Sequence, residues 1–181
     1  MAKKEKIKNG LDTTEVKETN GLHEAPESAE AALTVVGQYV KDLSFETPNA
    51  IKALFQGGDR PHFDINIEAQ ANHVSEKNFE VGLHVKVNCL RDKESIFILE
   101  LLYAGLFTIG KDVPEEYIRP ILMVECPRIL FPFARSIVAS TVQEGGFPPL
   151  MLTPIDFASL YQQQLARENQ EVTQQTQATN A

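Results

Sequence analysis

Apolar and polar side chains alternate with a period of two residues in three segments of the first half of the chain. The most regular segment runs from Asn78 to Cys89, and one of its faces carries Phe79, Val81, Leu83, Val85, Val87 and Cys89. The segment from His62 to Gln70 alternates in the same way. The segment from Leu33 to Glu46 has these apolar residues at odd positions: Leu33, Val35, Tyr39, Leu43 and Phe45. Because successive side chains of a strand point to opposite faces, the three segments predict strands with one buried face.

A fourth strand is predicted from Ser95 to Ile109, after the charged turn at residues 91–94. Because this turn is short, the third and fourth strands should form an antiparallel hairpin. The fourth strand is apolar on both faces, apart from Glu100 on one of them. A strand of this kind is normally covered on both sides, and we expect self-association to supply part of the cover.

The second half of the chain has the pattern of helices. Asp112 is a candidate N-cap, with Pro114 in the first turn and Glu115 pairing back to the cap. Pro120 should kink this helix, and Pro127 should end or bend it, because proline cannot donate a backbone hydrogen bond.

A second helix is predicted from about Arg128 to the glycine pair at 145–146, and a last one opens at residues 153–156 and runs to about Arg167. The second helix is apolar around nearly its whole circumference, which indicates burial on several sides. The order of elements predicts an α+β fold, a four-stranded antiparallel sheet with the C-terminal helices packed on one face.

The 181 residues suit a single folded domain with two tails. Residues 1–31 mix lysine and glutamate with few apolar side chains, which predicts a disordered tail. The folded domain should span 32–168. Residues 169–181 are rich in glutamine and threonine and predict a second disordered tail.

The composition excludes several classes of partner. A net charge of −8 repels nucleic-acid phosphates, so we expect no nucleic-acid partner. No run approaches the roughly 18 apolar residues of a membrane span, so we expect no insertion in a membrane. The lysine-rich start is not followed by an apolar segment, so we expect no secretory signal.

The residues that could carry chemistry form no recognisable site. Cys89 and Cys126 lie in different elements, and we predict two buried thiols of a reducing compartment, with a disulfide as the alternative. His62, His73 and His84 match no metal-ligand spacing, so we predict neither a metal site nor a cofactor. No glycine-rich phosphate loop joins a strand to a helix, and no base lies near Cys126. We therefore expect a binding protein and not an enzyme.

Two patterns point to binding instead. Asp42 and Glu46 share one strand face at a separation of about 13 Å, and Ile98 and Glu100 share a face of the fourth strand. An acidic face with an aliphatic residue suits a basic, partly apolar ligand, and an ordinary solvated face is the alternative. Seven phenylalanines are candidates for lining grooves that hold exposed hydrophobic segments, with core packing as the alternative: Phe55, Phe63, Phe97, Phe107, Phe131, Phe133 and Phe147.

Several motifs together resemble the SecB family of bacterial protein-export chaperones. They cover most of the predicted domain and comprise residues 41–46 with 48–50, the strand from 97 to 107, and the segments 126–135, 146–150 and 152–157. Both predicted tails fall outside the resemblance.

The resemblance implies an ATP-independent holdase, a cytoplasmic homotetramer built as a dimer of dimers. It would keep precursor proteins unfolded and deliver them to the translocation ATPase SecA. The basic, zinc-bearing C-terminal tail of SecA would dock on an acidic outer sheet face at Asp42, Glu46, Ile98 and Glu100. The other side of that strand matches the family's subunit-association surface at Leu99, Leu101 and Tyr103. A SecB-like chaperone dedicated to another client, such as an antitoxin, is the alternative function, and a small α+β enzyme is a more distant one.

Overall fold

A four-stranded antiparallel sheet forms the centre of the computed structural model, which describes residues 31–55 and 60–167. In chain order the strands are β1 (Leu33–Glu46), β2 (His62–Ser75), β3 (Asn78–Arg91) and β4 (Glu94–Ile109), and across the sheet their order is β1-β4-β3-β2. The helices are α1 (Ala50–Phe55), α2 (Glu115–Pro120), α3 (Cys126–Glu144) and α4 (157–167), with a π-helical turn (Ile121–Glu125) between α2 and α3. The predicted tails lie outside the described residues, except for residue 31.

The β3–β4 hairpin confirms the predicted pairing of these strands. Asp92 and Lys93 form its two-residue turn with φ values of 51° and 68°, and Arg91 pairs with Glu94 on either side. Positive φ at both central residues gives a turn whose twist matches that of the flanking strands. With helices packed on one face of the sheet, the predicted α+β architecture is confirmed.

The core lies between α3 and one side of the sheet, which we call the inner face. The alternating apolar residues of β3 point to it, and Val81, Leu83, Val85 and Val87 are fully buried. Gly105 on β4 lets α3 approach closely, because a Cβ at this position would lie 3.0 Å from Cδ2 of Leu130. Burial of apolar surface between helix and sheet is the main source of the domain's stability.

Two β-bulges in β1 change which of its residues face the core. The pairing with β4 shifts between Val35 and Gly37 and again between Val40 and Asp42. The odd-position prediction is therefore wrong for Tyr39, which lies on the outer face. Gln38 points inward instead, where its side-chain oxygen accepts a hydrogen bond from the Tyr103 hydroxyl at 3.4 Å. Each bulge adds one residue, and one residue reverses the alternation of a strand.

The helix boundaries differ from the prediction at α2 and agree with it at α3 and α4. The first helical residue is Glu115, after Pro114 at the N-cap position, and no described side chain caps this helix, so the predicted cap at Asp112 is wrong. Pro127 lies in the first turn of α3, where a missing N–H costs nothing. α4 begins after Asp156, whose carboxylate accepts the backbone N–H of Ser159 at 3.1 Å.

Candidate partner-binding surfaces

The four residues of the predicted acidic site lie together on the outer face, at the end of the sheet where β1 finishes. Glu46 pairs directly with Ile98 across the β1–β4 ladder, and Asp42 lies on the same face, two rows further along. Asp42 and Glu46 are exposed, whereas Ile98 and Glu100 are half-buried. The structure therefore brings the four side chains onto one surface, and partner binding there remains a prediction.

Lys86 is an outer-face residue that the sequence analysis did not single out. It lies opposite Glu100 in the β3–β4 ladder, and its ammonium group forms an ion pair with the Glu100 carboxylate. The hydrogen bond from Lys86 holds the pKa of Glu100 below its usual range, and the same bond raises the pKa of Lys86. The alternation of β3 predicts that Lys86 faces outward, but the register that places it beside Glu100 cannot be derived from the sequence.

The far end of the outer face carries a second ion pair. Lys41 Nζ donates to a Glu80 carboxylate oxygen at 2.7 Å, and the Tyr39 hydroxyl donates to the other oxygen. These two hydrogen bonds, that of Lys41 first, lower the pKa of Glu80, while the bond to Glu80 raises the pKa of Tyr39. The cluster joins β1 to β3 across the intervening strand β4.

The predicted subunit-association residues lie in the core of the single chain. Leu99 and Leu101 are fully buried on the inner face, and Tyr103 is 7% exposed. A surface that receives a second copy must be accessible in one chain, so the assignment of these three side chains to the interface is wrong. The alternation shows that they share a face, but the chain's own helices cover that face.

An exposed apolar surface does occur beside them, on the inner side of β1. Val35, Val40 and Leu43 face inward along this edge strand, and each is at least 40% exposed. Phe133 of α3 adds to them, because its ring stacks on that of Tyr103 at 6.2 Å and is itself half-exposed. We call these four residues the β1 apolar surface: Val35, Val40, Leu43 and Phe133.

The seven predicted groove phenylalanines divide into two groups. Phe97, Phe107 and Phe131 are no more than 7% exposed. They offer almost no area to a client, so for them core packing, the alternative reading, is the right one. The other four reach the surface to differing degrees: Phe55, Phe63, Phe133 and Phe147. Phe147 packs on the buried Phe97 ring with centroids 5.2 Å apart.

A groove of about 390 Å³ runs between the edge strand β2 and helix α4. Its apolar side chains come from the two elements and the π-helical turn: Ile67, Ala69, Met123, Phe157, Leu160 and Tyr161. Asn66, Gln164 and Arg167 contribute to its polar rim. This groove is not evident from the sequence, because α4 and β2 are almost a hundred residues apart and no local pattern links them.

Cys89 and Cys126 are buried, as predicted, and they form no disulfide in this structure. Burial, with a smaller contribution from the Glu125 charge, raises the pKa of Cys126 to about 12, so this thiol is a poor nucleophile. Within residues 31–55 and 60–167, no group of three or more histidine, cysteine or acidic side chains is arranged to hold a metal. None of the helices in these two ranges could cross a bilayer.

An acidic sheet face, an exposed apolar edge and a groove beside a strand are features typical of proteins that bind other polypeptides. The comparisons with known proteins agree with this class. Residues 26–168 match the family model of the preprotein translocase subunit SecB. The chain belongs to the SecB family of protein-export chaperones.

Individual relatives match more than four fifths of the chain. The protein-export protein SecB of Bradyrhizobium diazoefficiens is 50% identical over 151 residues, which are 83% of this chain and 93% of the relative. The SecB protein of Rhodopseudomonas palustris strain TIE-1 is 48% identical over 153 residues, 84% of this chain and 97% of the relative. A solved SecB-like chaperone of Mycobacterium tuberculosis, in complex with an antitoxin peptide, has the same fold. The two structures superpose with a TM-score of 0.58 and share 15% sequence identity. The match covers 68% of this chain and 91% of the Mycobacterium tuberculosis chain.

Proposed function

We propose that this protein is an ATP-independent holdase that binds unfolded precursor proteins and delivers them to SecA. The observation that carries the proposal is the groove beside β2, in a chain that belongs to the SecB family. Unfolded chains expose apolar side chains together with unpaired backbone groups. A groove with apolar walls beside an edge strand offers partners for both.

The chemistry of the groove suits an extended client segment. Leu160 is 39% exposed on its wall, and Ile67 and Ala69 are half-buried on its β2 side. A client strand added to the edge of β2 would place alternate side chains against these residues. Each fully buried aliphatic or aromatic anchor would contribute about 1.5–3 kcal/mol before the cost of ordering the client.

We propose that several chains act together. In a homotetramer one long client would engage more than one groove, and effective concentration would multiply weak contacts. The β1 apolar surface and the edge of β1 are the parts of the chain that we assign to subunit contact, in place of the buried residues Leu99, Leu101 and Tyr103. Exposed apolar area of this kind marks association sites in soluble proteins.

Delivery is assigned to the outer face. A basic segment such as the zinc-bearing tail of SecA would meet Asp42, Glu46 and Glu100 as anions and Ile98 as an apolar contact. The zinc belongs to the partner. Because client groove and docking face lie on different elements, one chain could hold a client and contact SecA at the same time.

The test is the refolding of a slow-folding unfolded precursor, with and without the full-length protein and without nucleotide. We expect stoichiometric arrest of refolding, because a protein that binds only the unfolded state draws the equilibrium toward it. Refolding at the unassisted rate for every precursor tried would contradict the holdase proposal.

Two variants of α4 test whether clients bind in the groove or elsewhere on this helix. Leu160→Glu places a charge on the apolar wall and should weaken the arrest, whereas Gln162→Glu adds the same charge two residues away on the same helix and should not. Equal arrest by both variants and the unmodified protein would show that clients bind elsewhere.

A chaperone dedicated to an antitoxin is the less favoured function. The solved chaperone with an antitoxin peptide shares 15% of its sequence with this chain, against 48–50% for the export proteins. A loss of export in a strain lacking this protein, with no release of a toxin, would distinguish the two functions.

A further inference from the structure

Lys86 lies among acidic side chains on the face to which we assign the docking of a basic partner. In the ladder it stands between Glu100 of β4 and Asn66 of β2. Two more outer-face acids, Asp64 and Glu68, lie on β2 beyond it. Lys86 therefore occupies the middle of the sheet, with acidic residues on both sides.

The ion pair of Lys86 is accessible to solvent. The Lys86 side chain is 54% exposed, and that of Glu100 is 34% exposed. An exposed pair of this kind contributes little to stability, because water and salt screen it and the lysine side chain loses conformational freedom. Replacement of the Lys86 ammonium group by another cation at Glu100 therefore costs little free energy. The ion pair can open without disturbing the sheet.

We propose that Lys86 is an internal competitor of the basic partner. Its ammonium group neutralises Glu100 in the free protein, and a partner segment reaches that carboxylate only by displacing it. This inference rests on the proposed docking of a basic segment at the outer face. In this scheme Lys86 affects the partner indirectly, through its ion pair with Glu100.

Two effects of Lys86 would have the same direction. The partner's cation must replace an existing ion pair rather than meet a free carboxylate, and the displaced ammonium group remains nearby and repels it. Both lower the affinity of the face and shorten the life of the complex. Lys86 would thus keep docking reversible, as a delivery step requires.

The experiment measures the Kd of a synthetic, zinc-loaded peptide of the SecA C-terminal tail for the full-length protein, by fluorescence anisotropy. Lys86→Gln should bind the peptide about two- to fivefold more tightly at low salt, and the gain should shrink as salt is added. Lys86→Thr, a neutral residue well suited to strands, should show the same gain. Lys86→Arg should bind the peptide no more tightly than the unmodified protein does, because arginine keeps the positive charge.

The matched control is Lys111→Gln, which changes the net charge by the same amount. Ile109, the last residue of β4, lies about 30 Å from Glu100 at 3.3 Å per residue, and the exposed Lys111 follows this end of the strand. The two variants are compared at physiological salt, where removal of Lys111 should leave the Kd unchanged because this distance exceeds the screening length of about 8 Å. Equal gains for Lys111→Gln and Lys86→Gln would overturn the inference in favour of a general charge effect.

Glu100→Gln separates this inference from the docking proposal. If Glu100→Gln weakens binding but neither neutral Lys86 variant strengthens it, the face docks the peptide and Lys86 does not compete. If Glu100→Gln binds as tightly as the unmodified protein, the docking proposal itself fails. Thermal unfolding of each variant verifies that the fold is intact.

Discussion

Leu43 and Leu101 are direct neighbours in the β1–β4 ladder and point to the same side of the sheet. Leu101 is fully buried, whereas Leu43 is 41% exposed. The two residues have the same chemistry, and they differ because α3 covers the central strands and leaves much of β1 uncovered. The apolar inner face is therefore wider than the helices that pack on it.

The contrast shows how β1 is held in the sheet. The central strands are held by burial, while β1 has its ladder with β4 and the Tyr39–Glu80–Lys41 cluster on the outer face. Only its two ends, at Leu33 and Phe45, pack against the core, and the Phe45 ring lies 5.4 Å from that of Phe97. An edge strand with uncovered apolar residues is a ready surface for a second polypeptide.

The largest expected effect comes from truncating the two leucines in turn. Leu101→Ala should lower the free energy of unfolding by about 2–5 kcal/mol, because it leaves a cavity in a packed core. Leu43→Ala should cost less than about 1.5 kcal/mol in a monomeric state, because little buried surface is lost. Urea unfolding of both variants measures the difference, and equal costs would show that β1 is covered as well as β4.

Leu43→Arg tests the uncovered residue as a contact between subunits. The charge would remain solvated in a single chain, so the variant should fold, but it should dissociate an assembly that buries Leu43. Light scattering coupled to size exclusion gives the mass, and circular dichroism verifies the fold. An unchanged mass would move the subunit contact away from this part of β1.

Glu80→Gln tests the outer-face attachment of β1. Loss of the carboxylate should lower the free energy of unfolding by about 1 kcal/mol, and Glu46→Gln, on the same face, should change it by less than about 0.5 kcal/mol. Because the folded-state pKa of Glu80 is lowered, its contribution is present above the pKa of an unfolded glutamate and is lost as the pH falls. The unfolding curves of Glu80→Gln and the unmodified protein should therefore differ at neutral pH and converge at acidic pH.

The smallest expected effect is a change in the pKa of Glu100. It tests whether the ion pair between the two central strands is independent of the cluster that attaches β1. Lys86→Gln should raise the pKa of Glu100 toward the usual range of a glutamate, because the hydrogen bond that lowers it is lost. The pKa of Glu80 should not change, since its hydrogen-bond partners are Lys41, Tyr39 and Asn72. Carboxyl resonances followed by NMR through an acid titration report both values, and a shift at Glu80 would mean that the two clusters are coupled.

Much of this architecture follows from the sequence. Alternation identifies β3 residue by residue, and the charged turn at 91–94 gives the hairpin. Alternation failed at Tyr39, because a bulge adds a residue without a marker in the local pattern. The resemblance to a family assigned Leu101 to a subunit interface, and alternation could not correct this assignment, because a period of two residues shows which side chains share a face but not what covers it.

Some residues of the candidate sites can be identified from a single strand, and others depend on contacts between segments. The acidic pair Asp42 and Glu46 is visible in one strand, and its link to Ile98 and Glu100 came from resemblance to a family. Lys86 and the groove beside α4 depend on register and on contacts between distant segments. No pattern within a single segment contains this information.

The π-helical turn at Ile121–Glu125 sets the rotational phase of α3. A π turn amounts to one residue inserted in an α-helix, and one residue corresponds to about 100° of rotation. Deletion of a single residue from this turn would let α2 and α3 join as one regular helix. If α2 kept its place, Leu130, Ala134 and Val138 would then turn away from the sheet. The length of this five-residue segment is therefore as much a determinant of the core as the apolar residues that fill it.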